Sequence, residues 1–258
     1  MSRALGFAYG AVSYVIFLGT FLYAIGFVGN LFVPKSIDSG AQSALVPALL
    51  VNTALLLLFA VQHSVMARPW FKRWWTRFVP HAIERSTYVL FASLALVILY
   101  WQWRPMKTVI WDLDGAAGTI MQVIFWSGWI LVLLSTFMIS HFHLFGLKQV
   151  HQHLRGERLT DPEFDARALY RYMRHPIMAG FFLAFWATPA MTAGHLLFAV
   201  ATTGYILVAL QFEERDLLRS FGKKYEQYRR EVRMFLPIRK ASPAAGVRRL
   251  TPDPTESR

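Results

Sequence analysis

Apolar residues fall along this chain in long unbroken runs, without the strict alternation of a half-buried strand. Runs of eighteen or more recur, and each matches the ~20 residues a helix needs to cross a hydrocarbon core of about 30 Å. Spans are predicted near residues 8–32, 43–66, 86–104, 118–143, 176–192 and 195–213. The last two share 38 residues without a formal charge, from His175 to Phe212. As helix, that stretch would rise roughly 57 Å at about 1.5 Å per residue, too far for one crossing and just enough for two short ones. Thr188-Pro189 and Gly194 supply the break between them. The expected fold is therefore all-α: a polytopic transmembrane helical bundle of about six spans, the last two a short helical hairpin, with amphipathic helices on one surface. The first run, Ala4 to Pro34, is too long for a signal peptide and lacks a clear small-residue cleavage site.

Between the spans the pattern changes. In Arg68 to Phe78, the residues Trp70, Phe71, Trp74, Trp75 and Phe78 recur at three- and four-residue spacing with Lys72, Arg73 and Arg77 between them. This predicts an interfacial amphipathic helix with aromatic anchors. Residues 148–174 form a polar connection that is long for a compact bundle, which usually marks a working segment. From Arg215 onward, Leu217, Phe221, Tyr225, Tyr228 and Val232 make one stripe, so a further amphipathic helix is expected. It could lie on the membrane or close over the loop before His175. Residues 1–239 read as one membrane domain, and 240–258 as a disordered tail without periodicity.

Composition fits this picture: 55% of residues are hydrophobic and only 16% charged. The net charge of +12 would suggest nucleic acid if it were spread over a soluble surface. It is not. The excess of Lys and Arg falls entirely on the side that holds Arg3, residues 68–85, residues 148–174 and the tail from Glu213. The opposite loops are balanced, Lys35 against Asp38, and Arg104 with Lys107 against Asp112 with Asp114. The positive-inside rule places both termini in the cytoplasm. A basic surface at headgroup level favours contact with anionic membrane lipid, and no nucleic-acid partner is needed. The chain has no cysteine, hence no disulfide framework.

Candidate chemistry lies at the ends of the uncharged stretch. Pro176 biases His175 out of helical geometry and is itself suited to the first position of a helix. His175 is then expected at a helix N-cap, where free amides with Arg171 and Arg174 would suit a carboxylate or phosphate. Glu213-Glu214 closes the stretch, and carboxylates at the end of an apolar span are costly unless solvated, paired or functional. They could pair with Arg171 or Arg174, or accept from ribose hydroxyls and balance a cationic sulfonium. His141-x-His143 and His151-x-His153 do not make a good metal site, because residues i and i+2 of a helix point about 200° apart. No metal is expected.

The pattern Tyr170-Arg171-Tyr172-x-Arg174-His175-Pro176-x-x-x-Gly180, followed by Glu213-Glu214-x-x-Leu217-x-x-x-Phe221-Gly222-x-x-Tyr225-x-x-Tyr228 and by Leu236-Pro237, resembles the isoprenylcysteine carboxyl methyltransferase superfamily of membrane enzymes. Gln62-His63-Ser64-Val65-Met66, Glu84-Arg85-Ser86-Thr87-Tyr88 and His141-Phe142-x-Leu144-Phe145-Gly146 are similar to its bacterial branch of NnrU-like proteins and thiol methyltransferases. The resemblance implies S-adenosyl-L-methionine bound within about residues 145–237. Gln149, Tyr170, His175, Pro176, Met178 and Glu213 match cofactor-contacting positions, with Arg174 and Glu214 beside them. Met178 stands where the prenylcysteine enzymes usually carry Tyr, and Ala209 near where they place a substrate-binding Arg. A small apolar thiol, methanethiol going to dimethyl sulfide, therefore fits better than a prenylcysteine carboxylate. A lipid or isoprenoid acceptor, or a non-enzymatic role of the NnrU type, are the alternatives.

Thiolate, not thiol, is the strong nucleophile, so an alkyl thiol needs a base or a positive field. The candidates at the basic rim are His141 and His143 as base, Arg73, Arg77 and Arg85 as field, and Tyr88 as orienter. The topology makes a direct prediction. Reporter fusions at Lys35 and Asp112 should report the periplasm, and fusions at Lys72 and Gly156 the cytoplasm. A cytoplasmic signal at Asp112 would overturn it.

Overall fold

The computed structural model describes residues 2–160 and 166–237, so the expected tail at 240–258 and residues Asp161 and Pro162 of the polar connection lie outside the described residues. In chain order the helices are α1 (Arg3–Gly29), α2 (Leu45–Ala67), α3 (Pro69–Trp75), α4 (His81–Gln102), α5 (Gly115–Ile139), α6 (His141–Leu144), α7 (Leu147–Arg155), α8 (Pro176–Trp186) and α9 (Ala193–Glu231). A 3₁₀ turn covers Ala168–Arg171. The only strands among the described residues, β1 (Val109–Asp112) and β2 (Ala190–Thr192), pair antiparallel. Helices α1, α2, α4, α5 and α9 are long and apolar enough to cross a membrane, and their outward faces carry leucine, valine and isoleucine. The chain is an all-α, multi-pass membrane protein.

The first four expected spans coincide with α1, α2, α4 and α5. The fifth differs. Helix α8 has 11 residues and stops at Trp186, before Thr188-Pro189. Its rise of roughly 16 Å is half a hydrocarbon core. Past Trp186 the chain runs through Ala187, Thr188 and Pro189 as non-helical backbone before β2. Non-helical backbone at this depth is tolerated only where its polar groups are satisfied inside the protein. They are: Trp111 Nε1 donates to the Thr188 carbonyl (3.1 Å), and the Leu113 amide to the Pro189 carbonyl (3.0 Å).

The sixth span also differs, because α9 does not end near Glu213. With no proline and no glycine from Tyr205 to Phe221, the helix runs out of the apolar zone and carries Glu213 and Glu214 with it. It breaks at Gly222 (φ 53°, ψ −129°), a conformation that costs glycine little and other residues much. Beyond the break, residues 223–231 turn back over the loop that precedes His175, so the stripe of Tyr225 and Tyr228 faces that loop and not the lipid. The polar connection is not all loop either: α7 occupies its first part and packs against α1 and α4.

Two features hold the bundle in register. On the face opposite the basic one, Asn52 of α2 is fully buried and clasps Arg104 just past α4: Nδ2 donates to the Arg104 carbonyl and Oδ1 accepts from its amide, both at 2.8 Å. The β1–β2 pair on that face ties the α4–α5 loop to the α8–α9 loop. Around them Phe27, Tyr100, Trp103, Phe125, Trp129 and Phe198 form the main apolar core.

Helices α5 and α8 touch through glycines. Helix association in lipid has no hydrophobic drive and depends on close packing at small residues. A Cβ at Gly180 would lie 2.7 Å from the Gly128 carbonyl and 2.9 Å from the Val132 amide. Gly180→Ala is therefore expected to cost about 1–3 kcal/mol through overpacking. Gly204→Ala, whose Cβ would meet nothing within 4 Å, should leave stability unchanged or slightly improved. Thermal unfolding in detergent checks both, and equal midpoints would refute the packing argument.

Candidate functional site

Four groups of side chains converge on the basic face. The first is the His-Pro turn. Pro176 opens α8 and His175 is its N-cap, with non-helical angles of −129° and 64°. The expected free amide is taken: Arg174 and His175 donate their N–H groups to the carbonyls of Arg233 and Met234, at 2.9 and 3.1 Å. Arg174 and His175 are buried and aim their side chains at one atom, Glu214 Oε1. Arg174 Nε and His175 Nε2 each lie 3.1 Å from it. Tyr225, beyond the Gly222 break, donates its hydroxyl to the same oxygen at 3.4 Å, and Arg174 Nη1 donates to the Arg229 carbonyl at 3.2 Å. The two ends of the uncharged stretch do meet, but through Glu214, and the arginine serves the turn itself. Arg171 is exposed.

The second group surrounds Glu213. Successive helical residues point about 100° apart, so the inward aim of Glu214 sends Glu213 outward to an exposed position. Its charge acts on Tyr170 of the turn, Tyr88 of α4 and Tyr205 of α9. Tyr170 donates its hydroxyl to the Ser135 carbonyl (3.5 Å), while its own carbonyl accepts from Tyr228 at 2.6 Å. Burial pushes the Tyr170 hydroxyl above its usual range, and the charge of Glu213 and the neighbouring Tyr228 push it further. Met178 is half-buried in the first turn of α8.

The third group is the corner between α5 and α7. The chain bends at Ser140 (φ 122°) and Gly146 (φ 90°), and a Cβ at Gly146 would strike Ser86 of α4 at 2.6 Å. His141 is buried and fully engaged. Thr136 gives its own proton to the Leu133 carbonyl (2.7 Å), so the imidazole donates from Nδ1 to Thr136 Oγ1 (2.8 Å) and accepts at Nε2 from the Tyr14 hydroxyl (2.8 Å). That arrangement needs the neutral ring, and burial lowers its pKa accordingly. His143 lies nearby with Nε2 3.2 Å from the Thr160 carbonyl. Gln149 donates to the His143 carbonyl at 3.1 Å, and its buried Oε1 has no hydrogen-bond partner among the described residues.

The fourth group joins α2, α4 and α9. Tyr88 Oη lies 2.9 Å from Nε2 and 3.1 Å from Nδ1 of His63. The Arg85 guanidinium sits 5.5 Å over the Tyr88 ring and donates from Nε to the Leu144 carbonyl at 2.9 Å, linking this group to the third. Arg68 pairs with Asp216 at 2.9 Å. Arg73 and Arg77 are exposed on and just after α3, whose Phe71 and Trp75 pack inward beside Met66, Tyr88 and Val89 while Trp70 and Trp74 face out. Sequence reasoning gave no site role to His63, Arg68, Tyr205 or Tyr225, although His63 and Tyr225 stand in the motifs it quoted. The available signal was polarity inside apolar spans, since a histidine or tyrosine there is expensive unless used. Among the described residues no three His, Asp or Glu side chains converge as a metal site.

The comparisons with known proteins bear on this geometry. A family model described as NnrU protein matches residues 51–214. The chain is 61% identical over 238 residues to the methanethiol S-methyltransferase of Mycobacterium tuberculosis, covering 92% of this chain and 98% of that one. It is 57% identical over 229 residues to methanethiol S-methyltransferase 2 of Bradyrhizobium diazoefficiens (89% and 88% covered). It is 53% identical over 242 residues to the methanethiol S-methyltransferase of Crocosphaera subtropica (92% and 94%). No solved structure matches.

Removing one member of a buried ion pair leaves the other uncompensated, at a cost of about 3–5 kcal/mol. Glu214→Gln, which keeps the shape and removes the charge facing Arg174, is therefore expected to lower the unfolding midpoint strongly. Pairing it with Arg174→Met should recover part of the loss. A single variant as stable as the parent would show that this ion pair does not hold the turn.

Proposed function

The chain belongs to the NnrU family, and from that premise we propose that it is a bacterial inner-membrane enzyme that methylates methanethiol to dimethyl sulfide with S-adenosyl-L-methionine as methyl donor. The near full-length identity to three proteins that bear the thiol-methyltransferase name carries this reading. The side chains present fit the donor. Glu213 offers an exposed carboxylate for ribose hydroxyls and a sulfonium charge, Gln149 a buried carbonyl oxygen without a partner among the described residues, and Tyr170 an aromatic ring within reach of the Glu213 charge. The donor supplies an activated methyl group.

In this proposal Gln149, Tyr170, Met178 and Glu213 hold the donor at the cytoplasmic rim. Arg174, His175, Pro176 and Glu214 fix the turn that presents Tyr170 and Met178. Residues 145–237 form the donor-binding part of a single membrane domain, and the one-sided basic charge puts both termini in the cytoplasm. Attack on a methyl group is in line, so the protein's own task is to align two sulfur atoms and exclude water. Lipid-facing helices around the site favour a small apolar thiol and an apolar product. Arg85, stacked over Tyr88, supplies a positive field where the thiol ionises.

The test is purified protein with labelled donor and methanethiol, read by gas chromatography. Dimethyl sulfide should form. Glu213→Ala should weaken donor binding roughly ten- to a hundredfold, as the loss of a charge-assisted hydrogen bond of about 1.5–3 kcal/mol implies. Because Glu213 is exposed, the variant should fold normally. Calorimetry that finds donor affinity unaltered would remove Glu213 from the site. Methylation of a lipid in place of the thiol would change the acceptor.

A further inference from the structure

A thiol methyltransferase needs a proton acceptor, and two of the histidines at the rim are committed. His141 donates to Thr136 and accepts from Tyr14, so both its nitrogens are occupied by groups that hold the α5–α6 corner. His143 meets the Thr160 carbonyl, and Gln149 bonds its backbone. His63 is placed differently. It sits one turn before the end of α2, its ring stacked on Phe59 (5.2 Å) and edge-on to Tyr205 (6.4 Å). Tyr88 Oη lies within 3.1 Å of both its nitrogens, so it bonds only one at a time and leaves the other for a second partner. Burial acts on His63 most strongly and the charges of Arg85 and Arg68 next, while that of Glu213 acts on the Tyr88 and Tyr205 that flank it. Asp216 is occupied with Arg68, and Ser64 donates to Tyr205 at 3.4 Å. Glu213 also acts on Tyr170 of the His-Pro turn, so one charge reaches both this pair and that turn.

We propose that His63, acting through Tyr88, accepts the proton of the bound thiol. The inference rests on the thiol-methyltransferase reading above. The thiol S–H bond breaks with its electron pair kept on sulfur. The proton passes to Tyr88 Oη as the Tyr88 proton passes to His63. The sulfur pair then forms the new S–CH₃ bond while the donor's S–CH₃ bond breaks with its pair staying on the donor sulfur. His63 afterwards releases its proton to water at the rim. The surrounding charges couple these events. A proton on an imidazole near two guanidinium groups is unfavourable unless an anion forms beside it, and the thiolate is that anion. Arg85 and Arg68 stabilise the thiolate directly. In this scheme Tyr88 is the catalytic residue that touches the thiol and His63 is the positioning and proton-holding residue behind it.

The experiment uses the full chain in detergent, with His63→Gln, His63→Ala and Tyr88→Phe. Each is assayed against methanethiol and against an arenethiol, which is already largely ionised at the assay pH and needs no base. General-base assistance typically contributes about 10²–10⁴-fold. With methanethiol, all three variants should lose at least ~100-fold at neutral pH and regain rate as pH rises towards thiol ionisation. With the arenethiol, the loss should stay within about a few fold, since only the proton step is removed. Donor affinity by calorimetry should be unaltered, which separates this role from misfolding. Equal losses on both thiols, or a pH profile unchanged in shape, would overturn the proposal while leaving the methyltransferase reading intact. No thioether from the unsubstituted protein with either thiol would overturn both.

Discussion

One carboxylate oxygen organises the basic face. Glu214 Oε1 receives Arg174 and His175 from the turn before α8 and Tyr225 from the segment beyond the Gly222 break. Taking a carboxylate and a guanidinium out of water is costly, and it is repaid only when geometry is close and the remaining polar atoms are satisfied. Here His175 and Tyr225 by hydrogen bonds and Arg174 by its charge, from two separated segments, meet one oxygen, and Arg174 Nη1 donates to the Arg229 carbonyl. The knot thereby fixes three things at once: where α8 begins, which way α9 faces, and where the chain after Gly222 must lie.

From that constraint the division of labour between the two glutamates follows. An α-helix turns about 100° per residue, so two neighbours cannot serve the same direction. With Glu214 turned into the protein, Glu213 is left exposed, where its charge acts on Tyr170, Tyr88 and Tyr205. One glutamate is spent on architecture and the other is free for a ligand, and the two roles could not be exchanged without rotating the helix.

Much of this was legible in the chain. Long apolar runs place the helices because hydrocarbon thickness sets their length, and the charge asymmetry sorts their ends. The uncharged stretch between His175 and Phe212 predicts that its two ends meet. Other features left no such trace. Which glutamate of an adjacent pair points inward depends on helical phase, and phase is set by packing. The partners of Arg174 and His175 on the main chain are carbonyls of Arg233 and Met234, and backbone acceptors have no sequence signature. His141 looks available as a base until Tyr14, 127 residues away, is found against its Nε2. The β1–β2 patch is two short strands in loops, below what alternation reveals. His63 lies in a short polar patch, Gln62-His63-Ser64, near the end of an apolar span, and only its neighbours from α4 and α9 set it apart from an ordinary core histidine.

The parallel bridge between Met173 and Arg233 has a consequence for how the protein is made. Every membrane-crossing segment precedes Gly222 in the chain, so all of them can be inserted in order during synthesis while the His-Pro turn still lacks its partners. The turn gains its carbonyl acceptors and its tyrosine donor only after residues 225–234 have left the ribosome. Insertion and completion of the site are thus separate events in time. A chain cut short after Phe221 would keep every crossing but would leave the His-Pro turn without Tyr225 and the carbonyls of Arg233 and Met234, so the end of translation decides when that turn is complete.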